Sequence, residues 1–184
     1  MRTVNASTLG KKRVLVSAQP VQRTIERLAQ QIIEPNGISN NLVLIGIRRG
    51  GENLTRRIHG ELARRTGVSL QMGFLNTTLY RDDDAARSIP ESTLSDDLTG
   101  KEVVIIDDVL YTGRTVRAAL DAITDLGRPQ AARLCVLVDR GLRELPIQAD
   151  YVGRFIATFP TEHVAVTLHA QFDDGDSIAV YSRQ

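Results

Sequence analysis

Two adjacent carboxylates, Asp107 and Asp108, are followed by Val109 and Leu110 and then by Tyr111-Thr112-Gly113-Arg114-Thr115. The second stretch has the parts of a phosphate cradle. Gly113 permits close backbone approach, Thr112 and Thr115 carry hydroxyl donors, and Arg114 adds positive charge. A helix beginning here would add unpaired N–H groups and the positive end of its dipole. The two acids would repel a phosphate, so they must face something else: vicinal hydroxyls or a cation. A ribose 5-phosphate satisfies both ends, with its phosphate in the loop and its 2- and 3-hydroxyls on the acids. The run is not a Walker A loop, because no Gly-Lys-Ser/Thr follows, and it lacks the glycine spacing of a dinucleotide fingerprint. An acidic strand end that caps a helix is the plainer reading of either half alone.

The elements that must position these residues are legible on both sides. Val103-Val104-Ile105-Ile106 is a short β-branched apolar block, the pattern of a strand buried on both faces of a parallel sheet. After the loop, Val116, Leu120 and Ile123 fall at helical spacing, and Gly127 is a suitable stop. The same logic occurs earlier. Leu42–Ile47 reads as a buried strand, Arg48-Arg49-Gly50-Gly51 as a glycine-bearing turn, and Leu54, Ile58 and Leu62 as one face of a helix. That turn suits a second phosphate group, or is a structural turn and no more.

Residues 1–12 are polar and expected to be loose, with Val14-Leu15-Val16 as a short edge strand. Ser17 and Pro20 signal a helix start. Val21, Ile25, Leu28, Ala29, Ile32 and Ile33 share one face, and Pro35-Asn36-Gly37 ends the helix. Val68, Leu70, Met72 and Phe74 alternate, and Thr77-Thr78-Leu79-Tyr80 reads as more strand. From Arg81 to Gly100 the chain is polar and contains Pro90. Such a long stretch fits a mobile lid over a site that excludes water; a solvated hairpin would explain its acids but not its length. Ala131 to Val138 is a further buried strand, and two more close the chain around His163–His169 and Ile178–Tyr181. His59, His163 and His169 are not spaced as metal ligands. Strands alternate with helices, which predicts an α/β fold: a mainly parallel sheet with helices on both faces and the site at the carboxyl ends of its strands.

Composition sets the outer bounds. The chain has 184 residues, 42% apolar and 24% charged, which is one domain (1–184) with a full core. A net charge of +1 provides no strong general field for nucleic acid or membrane. Lysine occurs only at Lys11, Lys12 and Lys101, so the basic charge is mostly arginine. Cys135 is the single cysteine, which excludes a disulfide within the chain. No apolar stretch is long enough to span a bilayer, and Met1 to Lys12 lacks the apolar core of a signal peptide, so the expected location is cytoplasmic.

Taken whole, Asp107–Thr115 resembles the 5-phosphoribosyl 1-diphosphate (PRPP) signature of type I phosphoribosyltransferases. In detail it is similar to the bifunctional pyrimidine-operon regulator/uracil phosphoribosyltransferase (PyrR) family. Tyr80-Arg81-Asp82-Asp83 matches the start of that family's flexible loop. Val138 to Ile147 matches a second segment, with Leu142 in place of a histidine, and Asp150 to Arg154 continues it. At 49–51 the chain has Arg-Gly-Gly where the family commonly has Thr-Arg-Gly or a similar triplet. Which of Arg48 and Arg49 meets pyrophosphate is therefore open.

The resemblance covers nearly the whole chain. It implies the type I phosphoribosyltransferase fold, with a lid at about 81–100 and a small hood built from the N-terminal segment and about 139–160. The implied reaction is uracil plus PRPP giving UMP plus pyrophosphate. Asp107, Asp108 and Arg81 would act in catalysis, and Arg48, Arg49 and Val109 to Thr115 would bind PRPP or UMP. Arg140 and Val164 would adjoin uracil, and Mg²⁺ would be held through substrate oxygens rather than directly by side chains. The family also implies UMP-responsive binding to pyrimidine-operon leader mRNA and a homodimer or homotetramer. On the RNA surface Arg27 and Arg154 are retained in kind, while Glu26, Gln30, Leu142 and Gln148 stand where relatives often carry Thr, His or Arg. A purine phosphoribosyltransferase would share the central motif. So would a nucleotide-sensing RNA regulator with little catalysis.

Overall fold

The apolar blocks around Val43, Val104 and Val136 are each buried on both faces, and that decides the architecture. The computed structural model describes residues 9–34, 41–77 and 97–183. In chain order these form β1 (Leu9–Val16), α1 (Ala18–Ile33), β2 (Leu42–Ile47), α2 (Gly51–Thr66), β3 (Gln71–Leu75), β4 (Glu102–Leu110), α3 (Arg114–Asp125), β5 (Ala131–Asp139), β6 (Tyr151–Phe155), β7 (Glu162–Thr167) and β8 (Ser177–Arg183). A five-stranded sheet in the order β3-β2-β4-β5-β6 is parallel at every pairing. Successive side chains of β4 point to opposite faces. Val104 and Ile106 pack with Ile25 and Leu28 of α1 and Leu54, Ile58 and Leu62 of α2. Val103 and Ile105 pack with Val116, Ala119 and Ile123 of α3. Each fully buried Leu or Ile contributes about 1.5–3 kcal/mol, so the two apolar layers together fix the strand order and hold β4 in the middle.

A second sheet, β1-β8-β7, is antiparallel and three-stranded. Val164, Ile178 and Val180 join the core on the α1 and α2 side. The hood expected from the N-terminal segment and residues 139–160 is thus built differently. The N-terminal segment does contribute, as β1, but its partners come from β7 and β8. Residues 151–155 instead form β6 at the edge of the main sheet. The reason lies in Gly153: a Cβ there would sit 2.4 Å from the Leu137 carbonyl oxygen, so only glycine lets this strand close on β5.

Other boundaries shift for local reasons. β1 starts at Leu9, so Leu9 to Lys12 are paired with β8 rather than loose. Leu120 is 38% exposed, and the buried face of α3 is completed by Ala118, Ala119 and Ala122. Gly127 follows the end of α3 with φ of +139°, and a Cβ there would lie 2.4 Å from Asp97 Oδ1 and 2.9 Å from the Thr99 nitrogen. β3 ends at Leu75, and Thr78 to Tyr80 lie outside the described residues. So does the expected lid as far as Asp96, including Arg81. Its far end is not lid-like. Leu98 is fully buried, its N–H donates to the Leu126 carbonyl at 3.0 Å, and the Gly100 N–H donates to Arg128 at 2.8 Å. Among the described residues no helix is long and apolar enough to cross a membrane.

Cys135 lies on β5 with no exposed surface, and burial pushes its thiol far above the ordinary range. A thiolate-directed reagent should therefore leave Cys135 unmodified in the native protein and label it in step with urea unfolding. Rapid labelling without denaturant would show that β5 is not held in the core.

Candidate active site

The acidic pair sits inside β4, not at its end. β4 continues to Leu110 and remains paired with β5, Asp107 opposite Val136 and Leu110 opposite Asp139. On its other side the last register pair with β2 is Gly46 with Ile106. From Asp107 onward β4 has therefore lost one neighbour, and the turn after β2 occupies the space beside it. A Cβ on Gly50 would lie 2.3 Å from Asp108 Oδ1 and 3.0 Å from Asp107 Oδ1. A Cβ on Gly51 would lie 2.2 Å from the Ile106 carbonyl oxygen. Only two glycines in succession let this turn rest on the carboxylates. The two motifs read separately in the chain thus lie against each other.

Asp107 is buried, and its Oδ1 accepts the Asp108 N–H at 3.0 Å. Burial pushes the Asp108 carboxyl above its ordinary range, against opposing hydrogen bonds from the Val109 amide and the Asp107 side chain. Two neighbouring carboxyls resist carrying two full charges. Hydroxyl donors or a cation would relieve that cost, and both suit the sugar phosphate expected here.

The turn also separates its two arginines. The Arg48 guanidinium donates to Glu52 at 2.9 Å and lies 5.9 Å from the Phe74 ring, while its N–H donates to the Leu75 carbonyl. Arg49 is exposed, with no side-chain partner among the described residues. Its φ of +78° is rare for a residue with a Cβ and is held by the glycines beside it. Of the two, Arg49 is the one available to an anion.

On the far side, Gly113 is the N-cap of α3, with φ of +92°, and the Arg114 N–H makes a long 3.4 Å bond to Thr112 Oγ1. The backbone amides at this helix start are of the kind that suits a phosphate. The loop is braced from behind. The Thr112 carbonyl accepts the N–H groups of Glu144 and Leu145 at 3.0 and 3.2 Å. Arg143 donates to the carbonyls of Tyr111, Gly141 and Ile147 and to the Asp139 carboxylate at 2.5 Å. Arg114 pairs with Glu144 at 2.8 Å across an exposed surface, a contact of little energy but the right length to aim the loop. Gly50 and Gly51 were expected only as part of a turn suited to a phosphate, not as the backbone resting on the acidic pair, and Arg143 was not expected as a site residue. The doubled glycine was a visible signal, whereas the role of Arg143 appears only once residues 139–147 fold back over the loop.

The other expected residues divide. Val109 is half-buried against one core layer and Leu110 is buried in the other, so neither side chain is a ligand donor. Arg140 stacks over Tyr111 with 4.1 Å to the ring centroid. It donates to Thr158 Oγ1 and to the carbonyls of Phe159 and Glu162 at 2.9–3.0 Å, which ties the end of β5 to the start of β7. Burial lowers its guanidinium from the ordinary value, against the attraction of Tyr111 and Glu162. Val164 is buried among core residues. Arg27 is likewise a tie: it donates to the carbonyls of Val152 and Gly153 and so fastens α1 to β6. Arg154 lies on that same strand, remote in the sheet order from the β2 turn.

Three comparisons bear on this site. The model of the phosphoribosyl transferase domain family matches residues 15–171. A bifunctional protein PyrR of Chloroflexus aurantiacus is 46% identical over 94% of this chain and 96% of its own. One from Deinococcus deserti is 48% identical over 92% of this chain and 94% of its own. Among solved structures, the hypoxanthine phosphoribosyltransferase of Trypanosoma cruzi superposes with a TM-score of 0.70 at 22% identity, covering 95% of this chain and 98% of that one; this is a likeness of fold.

The glycine contacts generate a paired test. Gly51→Ala must force the start of α2 off β4, and should lower affinity for pyrophosphate and PRPP by about tenfold or more. Gly60→Ala, with nothing within 4 Å of its Cβ, should leave binding intact and raise helix stability by about 0.5–1 kcal/mol. Calorimetry on both variants decides it; equal affinities would mean the turn does not hold the anion.

Proposed function

The chain belongs to the phosphoribosyl transferase family and, within it, to the bifunctional PyrR group, and from that premise we propose that it is a uracil phosphoribosyltransferase that also binds pyrimidine-operon leader mRNA in response to UMP. The observation that carries the catalytic half is the acidic pair lying under the glycine turn of β2, with α3 starting at Arg114, just beyond the loop that follows that pair. An anion at the turn, an anion at the helix and a pair of hydroxyls between them is the outline of PRPP.

The chemistry needs no protein nucleophile. The bond between C1 of the ribose and the pyrophosphate oxygen breaks, its electron pair leaves with pyrophosphate, and a cation-like sugar forms. A uracil nitrogen then bonds to C1 and gives up its proton. The protein contributes position and electrostatics. Thr112, Gly113, Arg114 and Thr115 hold the 5-phosphate, with Tyr111 opening the loop. Asp107 and Asp108 accept the ribose hydroxyls and balance positive charge as it grows on the ring. Arg49, rather than Arg48, faces the departing pyrophosphate, and Arg81 meets it from the lid. The two carboxylates are a donor set suited to a hard cation, and Mg²⁺ bound with PRPP would neutralise the leaving group. The base lies near Tyr111, Arg140 and β7, contacted by backbone groups and by shape, since Arg140 has three of its donor contacts within the protein.

For the regulatory half, Arg154 remains an RNA contact, while Arg27 acts on RNA through the strand it fastens. The working assembly is a homodimer or homotetramer in the cytoplasm.

Turnover with uracil, PRPP and Mg²⁺ tests this reading, with hypoxanthine and guanine as competitors. UMP and pyrophosphate should form in equal amounts, and the purines should neither react nor compete. Asp107→Asn combined with Asp108→Asn should lower turnover by about 10²-fold or more without unfolding the protein. Purine turnover would replace the assignment, and near-normal turnover in the double variant would remove the role of the acids. Retention of the leader RNA that strengthens with UMP, and weakens for Arg154→Ala with a flatter salt dependence, is expected for the second half.

A further inference from the structure

Asp176 lies between β7 and β8 with a side chain that has no exposed surface, and every partner it has points to one task. Its Oδ1 accepts the His169 N–H and the His169 ring Nδ1, both at 2.9 Å, and its Oδ2 accepts the Asp173 N–H at 3.4 Å. The remaining partner comes from a different element. Arg57 of α2, also buried, donates an N–H from one terminal nitrogen to the Asp176 carboxylate and from the other to Gln22 Oε1 of α1. One turn earlier on α2, Asn53 Nδ2 donates to the Leu168 carbonyl at 2.6 Å. Residues four apart on a helix share a face. The connection from β7 to β8 is therefore fastened at two points along one side of α2.

The other end of that helix is its link to chemistry. α2 begins at Gly51, whose Cα has no room for a Cβ against β4 beside Asp107. β7 has a second tie at its own start, where Arg140, stacked on Tyr111, donates to the Phe159 and Glu162 carbonyls. So β7 is strung between two anchors. One is Arg140 at the end of β5, stacked on Tyr111 of the 5-phosphate loop, and the other lies on the helix that follows the Gly50 turn. A buried ion pair adds little stability compared with an apolar pair of the same volume. Its distinctive property is fixed geometry across 119 residues of chain.

We propose that the Asp176–Arg57 pair, with Asn53, positions β7 over the reacting centre and so sets where the base meets the sugar, making Asp176 and Arg57 positioning residues for the uracil half of the reaction. This rests on the phosphoribosyl-transfer reading above. The ionised form of Asp176 is maintained by its surroundings. Burial pushes its carboxyl up, but the His169 amide, the Arg57 guanidinium and the His169 ring outweigh this and leave it below the ordinary range.

The test separates the two halves of the substrate. Steady-state kinetics with uracil and PRPP varied in turn should show Asp176→Asn raising the KM for uracil by about tenfold, with the KM for PRPP changed less than about twofold. Asn53→Ala should do the same to a smaller degree, and Arg57→Lys should be milder than Arg57→Gln. Amide hydrogen exchange should rise over residues 168–176 while β4 and α3 stay protected. If Asp176→Asn does not fold, Asn53→Ala decides: an unchanged uracil KM overturns the proposal. So does a parallel rise in both KM values, which marks a structural role only. A wild-type protein that makes no UMP removes the reaction assignment itself, whereas wild-type turnover with insensitive variants removes only the positioning role.

Discussion

The structure depends on one close approach. The backbone of Gly50 and Gly51 rests directly on the acidic pair of β4 and on the Ile106 carbonyl, with no space for a single added carbon. That contact occurs where β2 stops pairing with β4 and β4 continues alone beside β5. A parallel strand that outruns its neighbour leaves unpaired backbone and exposed carboxylates at the carboxyl end of the sheet. The glycine turn covers them with peptide groups rather than side chains. The result is a narrow polar shelf with backbone suited to anions on either side, an arrangement that fits a sugar carrying phosphate groups at both ends.

Holding that shelf steady is the work of the two apolar layers and of several arginines. α1 and α2 cover one face of β4 and α3 the other, so the acids stand on a strand that cannot shift. Arg143, Arg140, Arg57 and Arg27 then act as cross-ties whose guanidinium groups donate to carbonyls and carboxylates of distant segments. The planar guanidinium presents several donors in a fixed fork, which lysine cannot do. The arginine-rich character of the chain thus serves its architecture as much as its ligands. Arg49, by contrast, is exposed at the turn beside the acidic pair.

A large part of this was legible in the chain. The strand, acid, loop and helix order around Asp107 follows from β-branched burial, from two acids that cannot share a phosphate, and from glycine at a helix start; all three are local and all three appear in β4 and α3. The alternation of strands with amphipathic helices led to a parallel sheet covered on both faces, because period and burial are properties of short segments. β6 was not legible: its five residues carry little periodicity, and its place depends on Gly153 meeting Leu137. Nor was the composition of the second sheet, whose first strand is separated from its partners by most of the chain.

The sequence by itself determined which groups are present and which neighbours they have within a few residues, since spacing and conformational preference act at short range. It placed two acids between a buried strand and a glycine-bearing loop suited to a phosphate, and it left the Arg48-Arg49-Gly50-Gly51 turn open between a second phosphate site and a structural turn. Only the tertiary structure decided that the Gly50 turn rests on the Asp107 pair, that Arg48 is engaged by Glu52 while Arg49 is exposed, and that Arg140 and Arg27 tie distant segments together. The first and last of those outcomes turn on contacts between segments remote in the chain. Such contacts depend on packed volume and on which donor reaches which carbonyl, and neither is encoded in any local pattern of residues.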